Sequence, residues 1–259
     1  MTMPTRETPW PTGTPCWVDL SVPDVAAATE FYGSVIGWSF VDTGEQYGHY
    51  HIAQTKGKAA AAIGPIMQEG QPSVWTIYLA SDDADGTAKL VTEHGGTVVA
   101  GPMDIEGSGR MLIALDPTGA AFGVWQAADM IGFGIYNETG SLVWEDARLA
   151  DPAEGKRFYS AVFGYTYQPV EGAPDDYETF GVGGEIAGGM GGLMGSPEAT
   201  PGHWLPYFSV SDADAAVAAA QRGGGTVAMA PENTPFGRIG ILIDPFGAVF
   251  GLHAQIAEE

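Results

Sequence analysis

Two carboxylates sit where water is hard to reach, and they are the first candidates for chemistry. Asp19 lies inside the apolar run 16–22 (CWVDLSV), and Asp146 follows Trp144 in the same relation that Asp19 bears to Trp17. A carboxylate in an aromatic-walled pocket has its pKa raised toward the range of a general base. The competing reading is structural, a salt bridge from each Asp to Arg110 and Arg238, which recur at matching places in the two halves of the chain. His203 and His253 form a second candidate acid–base pair, expected on neighbouring strands facing one cavity, with hydrogen bonding inside the sheet as the alternative. His49 and His51 are expected on one strand face with Tyr47, and His94 near a helix C-terminus, where a partly positive imidazole is favourable.

Other reactive patterns are weak. The glycine-rich stretch 181–195 (GVGGEIAGGMGGLMG) lacks the Gly-Lys-Ser/Thr ending of a phosphate loop, and Met190 and Met194 on it suggest an adaptable pocket edge. There is no Gly-x-Ser-x-Gly elbow, and Cys16 has no recognisable His partner.

The elements that must position these residues repeat. A strand at 16–22, a helix from the Asp24 cap to Ile36 with Gly37 as its stop, and extended segments at 38–42, 47–53 and 59–67 make one βαβββ unit. A second unit follows, with a strand at 74–80, a helix at 82–94, strands at 97–100 and 110–115, and a last strand introduced by Asp116-Pro117-Thr118-Gly119. That turn returns as Asp244-Pro245-Phe246-Gly247, and Phe31-Tyr32 returns as Phe158-Tyr159. Asp-Pro-x-Gly fits a type I or II turn. The chain therefore reads as a tandem, with domains at 11–127 and 141–257 and a linker at 128–140.

The formal net charge of −22, from 32 acidic and 10 basic residues in 259, argues against nucleic acid or an anionic membrane as partner, since both require clustered Lys and Arg. A neutral or cationic ligand is easier to accommodate. One cysteine excludes an internal disulfide. Residues 1–12 lack the apolar centre of a secretory signal, and the expectation is a cytoplasmic monomer or homodimer.

Two paired βαβββ units with a Phe-Tyr helix and an Asp-Pro-x-Gly turn resemble the vicinal oxygen chelate superfamily of glyoxalase I, extradiol dioxygenases and bleomycin-resistance proteins. GTPCWVDL at 13–20, NETGSLVW at 137–144 and His203-Trp204 are similar to an actinobacterial two-domain group labelled glyoxalase-like or hydroxylase-like. The resemblance implies an α+β fold of tandem glyoxalase-like domains, each of two paired βαβββ units forming a cupped mixed sheet. In its metal-dependent members four strands offer His, Gln or Glu to one divalent ion. The positions carried over are Trp17, Gly64, Thr76 and Gly123 in the first domain, and Trp144, Gly191, Leu205 and Gly251 in the second. None is a good ligand, so no metal and no cofactor are expected.

Alternation along a strand places Trp17 with Asp19, Thr76 with Tyr78, and Gly123 with Trp125 on one cup face. In the second domain the set is Trp144 and Asp146, His203, Leu205 and Tyr207, then Gly251 and His253. Such faces suit a hydrophobic, aromatic or cationic small molecule. The expected function is metal-independent binding of such a metabolite. The alternative is a metal-independent enzyme, hydroxylase-like or proton-transferring, using Asp19, Asp146 or the two histidines.

Overall fold

Four aspartates start the four helices for one reason. Each is extended, and its side chain accepts from a backbone N–H of the first turn that has no partner within the helix. The caps are Asp24 for α1 (Val25–Ile36), Asp83 for α2 (Ala84–Glu93), Asp151 for α3 (Pro152–Phe163) and Asp212 for α4 (Ala213–Arg222). Gly37 (φ 88°) and Gly164 (φ 72°) end α1 and α3 in the left-handed conformation that favours glycine. The structure is a computed structural model that describes residues 6–67, 70–193 and 200–256; Met194 lies outside them. Among these residues no helix is long and apolar enough to cross a membrane.

Each half of the chain builds one eight-stranded sheet. The first contains β1 (Pro15–Val22), β2 (Ser39–Asp42), β3 (His51–Thr55), β4 (Lys58–Pro65), β5 (Trp75–Ala80), β6 (Thr97–Ile105), β7 (Gly109–Leu115) and β8 (Ala121–Ala127). The second contains β9 (Leu142–Arg148), β10 (Thr166–Pro169), β11 (Glu178–Val182), β12 (Glu185–Gly191), β13 (His203–Ser209), β14 (Thr226–Thr234), β15 (Gly237–Ile243) and β16 (Val249–Ala254). The strand orders are β2-β3-β4-β1-β5-β8-β7-β6 and β10-β11-β12-β9-β13-β16-β15-β14. In the first sheet β1 runs parallel to β4, β5 parallel to β8, and β1 antiparallel to β5, so two βαβββ units join through one central pair. The second sheet repeats this arrangement.

One expected strand is different. Residues 45–47 form a 3-10 turn, and Gly48 and His49 follow with positive φ, so Tyr47, His49 and His51 do not share a strand face. His49 instead pairs with Asp42 at 2.9 Å on the exposed edge.

The Asp-Pro-x-Gly motif explains how the halves meet. Gly119 N–H donates to Asp116 O at 3.0 Å, and positive φ falls on Gly119 rather than Thr118, which identifies a type I turn. The Asp116 side chain accepts from Thr118 N–H, Thr118 Oγ1 and Ala120 N–H, and its other oxygen accepts from Tyr159 OH of the second half at 3.0 Å. Tyr159 in turn accepts from Trp204 Nε1 at 2.9 Å. Asp244, Tyr32 and Trp75 make the mirror arrangement at 2.9 and 3.0 Å. Phe31 packs against Phe250 and Phe158 against Phe122, so each Phe-Tyr helix docks on the last strand of the other repeat. Trp75 and Phe208, on strand faces opposite the cups, are 5.1 Å apart. The sheets therefore meet back to back and the cups open outward.

All six latch groups are buried, and burial raises the pKa of both aspartates and both tyrosines. Removing either tyrosine hydroxyl strands an indole N–H and a carboxylate oxygen in the interior. Tyr32→Phe and Tyr159→Phe are each expected to lower stability by roughly 1–3 kcal/mol. Urea unfolding checks this, and an unchanged midpoint would mean the hydroxyls do not hold the halves together.

Candidate functional site

Gly123 and Gly251 are floors for tyrosine rings. A Cβ at Gly123 would fall inside the Tyr78 ring, and one at Gly251 inside the Tyr207 ring. Gly64 lies likewise beneath Tyr50, and Gly189 and Gly191 beneath Tyr177. With their rings flat on glycine, the four phenols reach the central carboxylates. In the first cup Tyr50 OH and Tyr78 OH donate to Asp19 at 2.9 and 3.0 Å, and Trp17 Nε1 donates to Tyr50 OH at 3.0 Å. In the second, Asp146 Oδ1 accepts from Tyr177 OH at 2.8 Å and Trp144 Nε1 at 2.9 Å. Its Oδ2 accepts from Tyr207 OH and Arg148 Nη2, both at 3.1 Å.

The expected pairing of Asp19 and Asp146 with Arg110 and Arg238 is overturned. Arg110 binds Asp85 and Asp104, and Arg238 binds Asp214, all at the exposed rim. The cation that does meet Asp146 is Arg148, two residues on and therefore on the same strand face. The first cup has Ser21 at the corresponding step, with no guanidinium.

The cups differ in openness as well. The 128–140 segment is more than a bare connector: Phe133, 1% exposed, packs against Trp17 of the first cup with ring centroids 5.6 Å apart, while Asp19 stays partly exposed. Phe133 N–H donates to Cys16 O, and Trp10 stacks edge-on against Phe133 and Tyr136. Trp125 turns to this segment, donating from Nε1 to Met130 O at 2.8 Å. Trp17 is consequently 4% exposed, whereas its counterpart Trp144 is half-buried.

The second cup holds a cavity of about 1650 Å3. Trp144, Asp146, His203, Leu205, Tyr207 and His253 all line it; Trp17, Asp19, Thr76, Tyr78 and Trp125 do not. Thr76 and Leu205 stand opposite Asp19 and Asp146 on the neighbouring strands. Further walls come from Tyr177, Phe236, Ile241 and Val249, and Arg148 stands beside Asp146. His203 and His253 do not form a pair. The register sets His253 opposite Ser209, six residues along from His203, or roughly 20 Å at a strand's rise per residue. His203 Nδ1 meets Pro201 O at 3.0 Å, and since a carbonyl only accepts, the proton is on Nδ1 and Nε2 is a free base. Burial lowers the His203 pKa, which keeps the ring neutral. By the same reasoning His253 donates from Nε2 to Phe236 O, and its buried Nδ1 has no partner among the described residues.

A divalent ion does not fit these donors. Gly64, Gly123, Gly191 and Gly251 offer no side-chain ligand, the tyrosine rings occupy the space above them, and Arg148 already sets a positive charge on Asp146. Among the described residues no three His, Cys, Asp or Glu side chains gather in a metal-holding group.

Arg148, Tyr50, Tyr177 and Phe133 were not singled out from the sequence. Tyr50 and Tyr177 were accessible to it, being separated by the same 127 positions as Phe31 and Phe158. Arg148 could have been found by counting two on from Asp146.

Without an arginine beside it, Asp19 has its pKa pushed up by burial to about 6, against the opposing pull of the Tyr50 and Tyr78 hydrogen bonds. A raised carboxyl pKa stabilises the fold at low pH, and that contribution is lost as pH rises from about 4 through about 6. Asp19→Asn keeps an acceptor for both phenols. It is expected to match the wild type at pH 4 and to exceed it by about 1–3 kcal/mol at pH 8. Thermal unfolding across that range is the measurement, and parallel curves for the two proteins would refute the shift.

A profile of the Glyoxalase/Bleomycin resistance protein/Dioxygenase superfamily matches residues 16–124 and 142–252. The chain is 41% identical to "Putative glyoxylase CFP32" of Mycobacterium tuberculosis, over 93% of this chain and 94% of that protein. It is 36% identical to "Anthracycline biosynthesis protein DnrV" of Streptomyces peucetius, over 93% and 92%. Among solved structures it is similar to the Mn(II)-bound glyoxalase from Novosphingobium aromaticivorans, with a TM-score of 0.65 at 15% identity over 96% of this chain and 84% of that one. A 2,2',3-trihydroxybiphenyl 1,2-dioxygenase from Sphingomonas wittichii gives 0.63 at 14% identity over 96% and 93%. At such identities the structural likeness concerns the fold alone. With both halves matched by the profile and relatives aligned over nearly their whole length, the chain belongs to the glyoxalase/bleomycin resistance/dioxygenase superfamily as a tandem of two such domains.

Proposed function

We propose that this protein binds a flat, largely hydrophobic small molecule in the cavity of its second domain, without a divalent metal, and that the first domain is structural. The observation that carries this reading is the cavity of about 1650 Å3 above the tyrosine–aspartate arrangement of the second cup, where Trp144 is half-buried, while its counterpart Trp17 in the first cup is covered by Phe133. That volume exceeds the few hundred to roughly a thousand Å3 common for drug-sized ligands. Its walls of Trp144, Leu205, Phe236, Ile241 and Val249 favour burial and stacking of rings. Two relatives are named for anthracycline biosynthesis, and a polycyclic aromatic ligand of that kind suits these walls. A cytoplasmic setting accords with the free, buried thiol of Cys16.

A second reading, proton transfer, rests on His203. Its unprotonated Nε2 belongs to a residue lining the same cavity, whereas both oxygens of Asp146 are already taken by two donors each. The base in this cup is then His203 rather than Asp146. Turnover of a bound ligand that His203→Gln abolishes, while binding persists, would favour the enzyme over the carrier.

The direct test is quenching of intrinsic Trp fluorescence by a panel of polycyclic aromatics, in EDTA-treated protein. Saturable binding in EDTA is expected, unaltered in Asp19→Asn and weakened in Ile241→Trp, which sets an indole into the cavity. Binding that returns only on adding a divalent ion would overturn metal independence, and no saturable binding across the panel would overturn the assignment of the cavity.

A further inference from the structure

Inside that cavity the hydrogen-bonding capacity is unevenly used. Asp146, 4% exposed, has two donors on each oxygen and no room for a ligand's ammonium or hydroxyl. Arg148, 8% exposed, commits Nη2 to Asp146 and to Tyr207 OH at 2.7 Å, yet its Nε is buried with no partner among the described residues. Its Nη1 has no hydrogen bond among the described residues and, unlike Nε, is not fully buried, so the guanidinium of this cavity-lining residue keeps a donor that a ligand oxygen can reach.

The charge balance narrows the ligand. Arg148 and Asp146 already form a neutral pair, in a chain of formal net charge −22. A neutral acceptor therefore enters without adding an uncompensated charge, whereas a cation would meet Arg148 and find Asp146 occupied. The cationic ligand suggested by the acidity of the sequence is disfavoured by this local arrangement. Leu205, opposite Asp146 on the adjacent strand, and the half-buried indole of Trp144 supply apolar surface beside the donor.

We propose that Arg148 is the polar recognition residue of the cavity, and that its ligand is an aryl ketone or quinone whose ring carbonyl accepts from the guanidinium. This rests on the cavity of the second domain being the binding site, and it adds the chemical class. The first cup, with Ser21 at the step of Arg148, has no such donor.

Equilibrium dialysis with 9-fluorenone and fluorene separates the two levels of the proposal, because the pair differs only in the carbonyl. Wild-type protein is expected to bind fluorenone about tenfold to a hundredfold more tightly than fluorene, the range for a hydrogen bond to a charged donor. Arg148→Met is expected to abolish that preference while still binding fluorene. Equal affinities of the wild type for the two compounds would overturn the role of Arg148 and leave the hydrophobic cavity standing. Binding of neither compound would overturn the cavity reading and this inference with it. The wild-type comparison uses no substitution, and so it holds whether or not Arg148→Met folds.

Discussion

A buried carboxylate must find donors, and in this protein that constraint joins the two halves. Asp116 and Asp244 take their first donors from their own turns, and each then has one oxygen left, buried at the back of its sheet. The donor comes from the other repeat, through Tyr159 and Tyr32, each backed by an indole N–H. Neither repeat can satisfy its own turn, because its own Phe-Tyr helix faces the other domain. The back-to-back orientation follows, and with it the outward-facing cups. A scaffold whose shared core lies entirely at the back leaves each cup free to diverge without disturbing the latch.

The cups solve the same constraint a second time, with different consequences. Asp19 and Asp146 are again held by tyrosine hydroxyls, and the rings reach them only because glycine lies underneath. The resemblance read from the sequence puts the ligating side chains of metal-holding members at the positions of Gly123 and Gly251. Here an added Cβ would displace the tyrosine, so a ligating side chain and the tyrosine–aspartate arrangement exclude each other. The glycines at these two positions are thus part of the tyrosine–aspartate construction. Once that construction is in place, the cups differ in side chains and in cover: Arg148 stands where the first has Ser21, Leu205 where it has Thr76, and Phe133 packs on Trp17 in the first alone.

Much of the scaffold was legible in the sequence because its determinants are local. Asp24 and Gly37 bracket a helix by capping alone, and a repeat offset needs only like residues at like spacing. The turn at Asp116 needed only Pro second and Gly fourth, and the backbone then decides for type I over type II. What stayed hidden depends on contacts distant in sequence. The partners Tyr32 and Asp244 are separated by 212 positions, and no pattern in either segment announces the other. Likewise nothing in 128–140 distinguishes a segment that lies over a cup from one that merely connects. At Asp19 and Asp146 the sequence indicated a buried carboxylate in need of a partner but pointed to the wrong arginines. Arg110 and Arg238 recur because they tie the start of α2 and α4 to β7 and β15 at the exposed rim.

The charge of the chain illustrates the same separation of scales. A formal charge of −22 governs solubility and the approach of ions, but between exposed groups its influence fades over roughly 8 Å in physiological salt. Inside the second cup the deciding quantities are the few donors and acceptors within hydrogen-bond reach. There the acidic residue is saturated and the basic one is not, the reverse of what the composition suggests. An overall acidic protein can therefore present a donor to a ligand, provided one arginine is buried where its partner carboxylate is already satisfied by phenols and an indole. Tyr177 and Trp144 thus have an electrostatic effect although neither is charged. By holding Asp146 Oδ1 they let Arg148 meet that carboxylate through Nη2 alone, which leaves its Nη1 for something else.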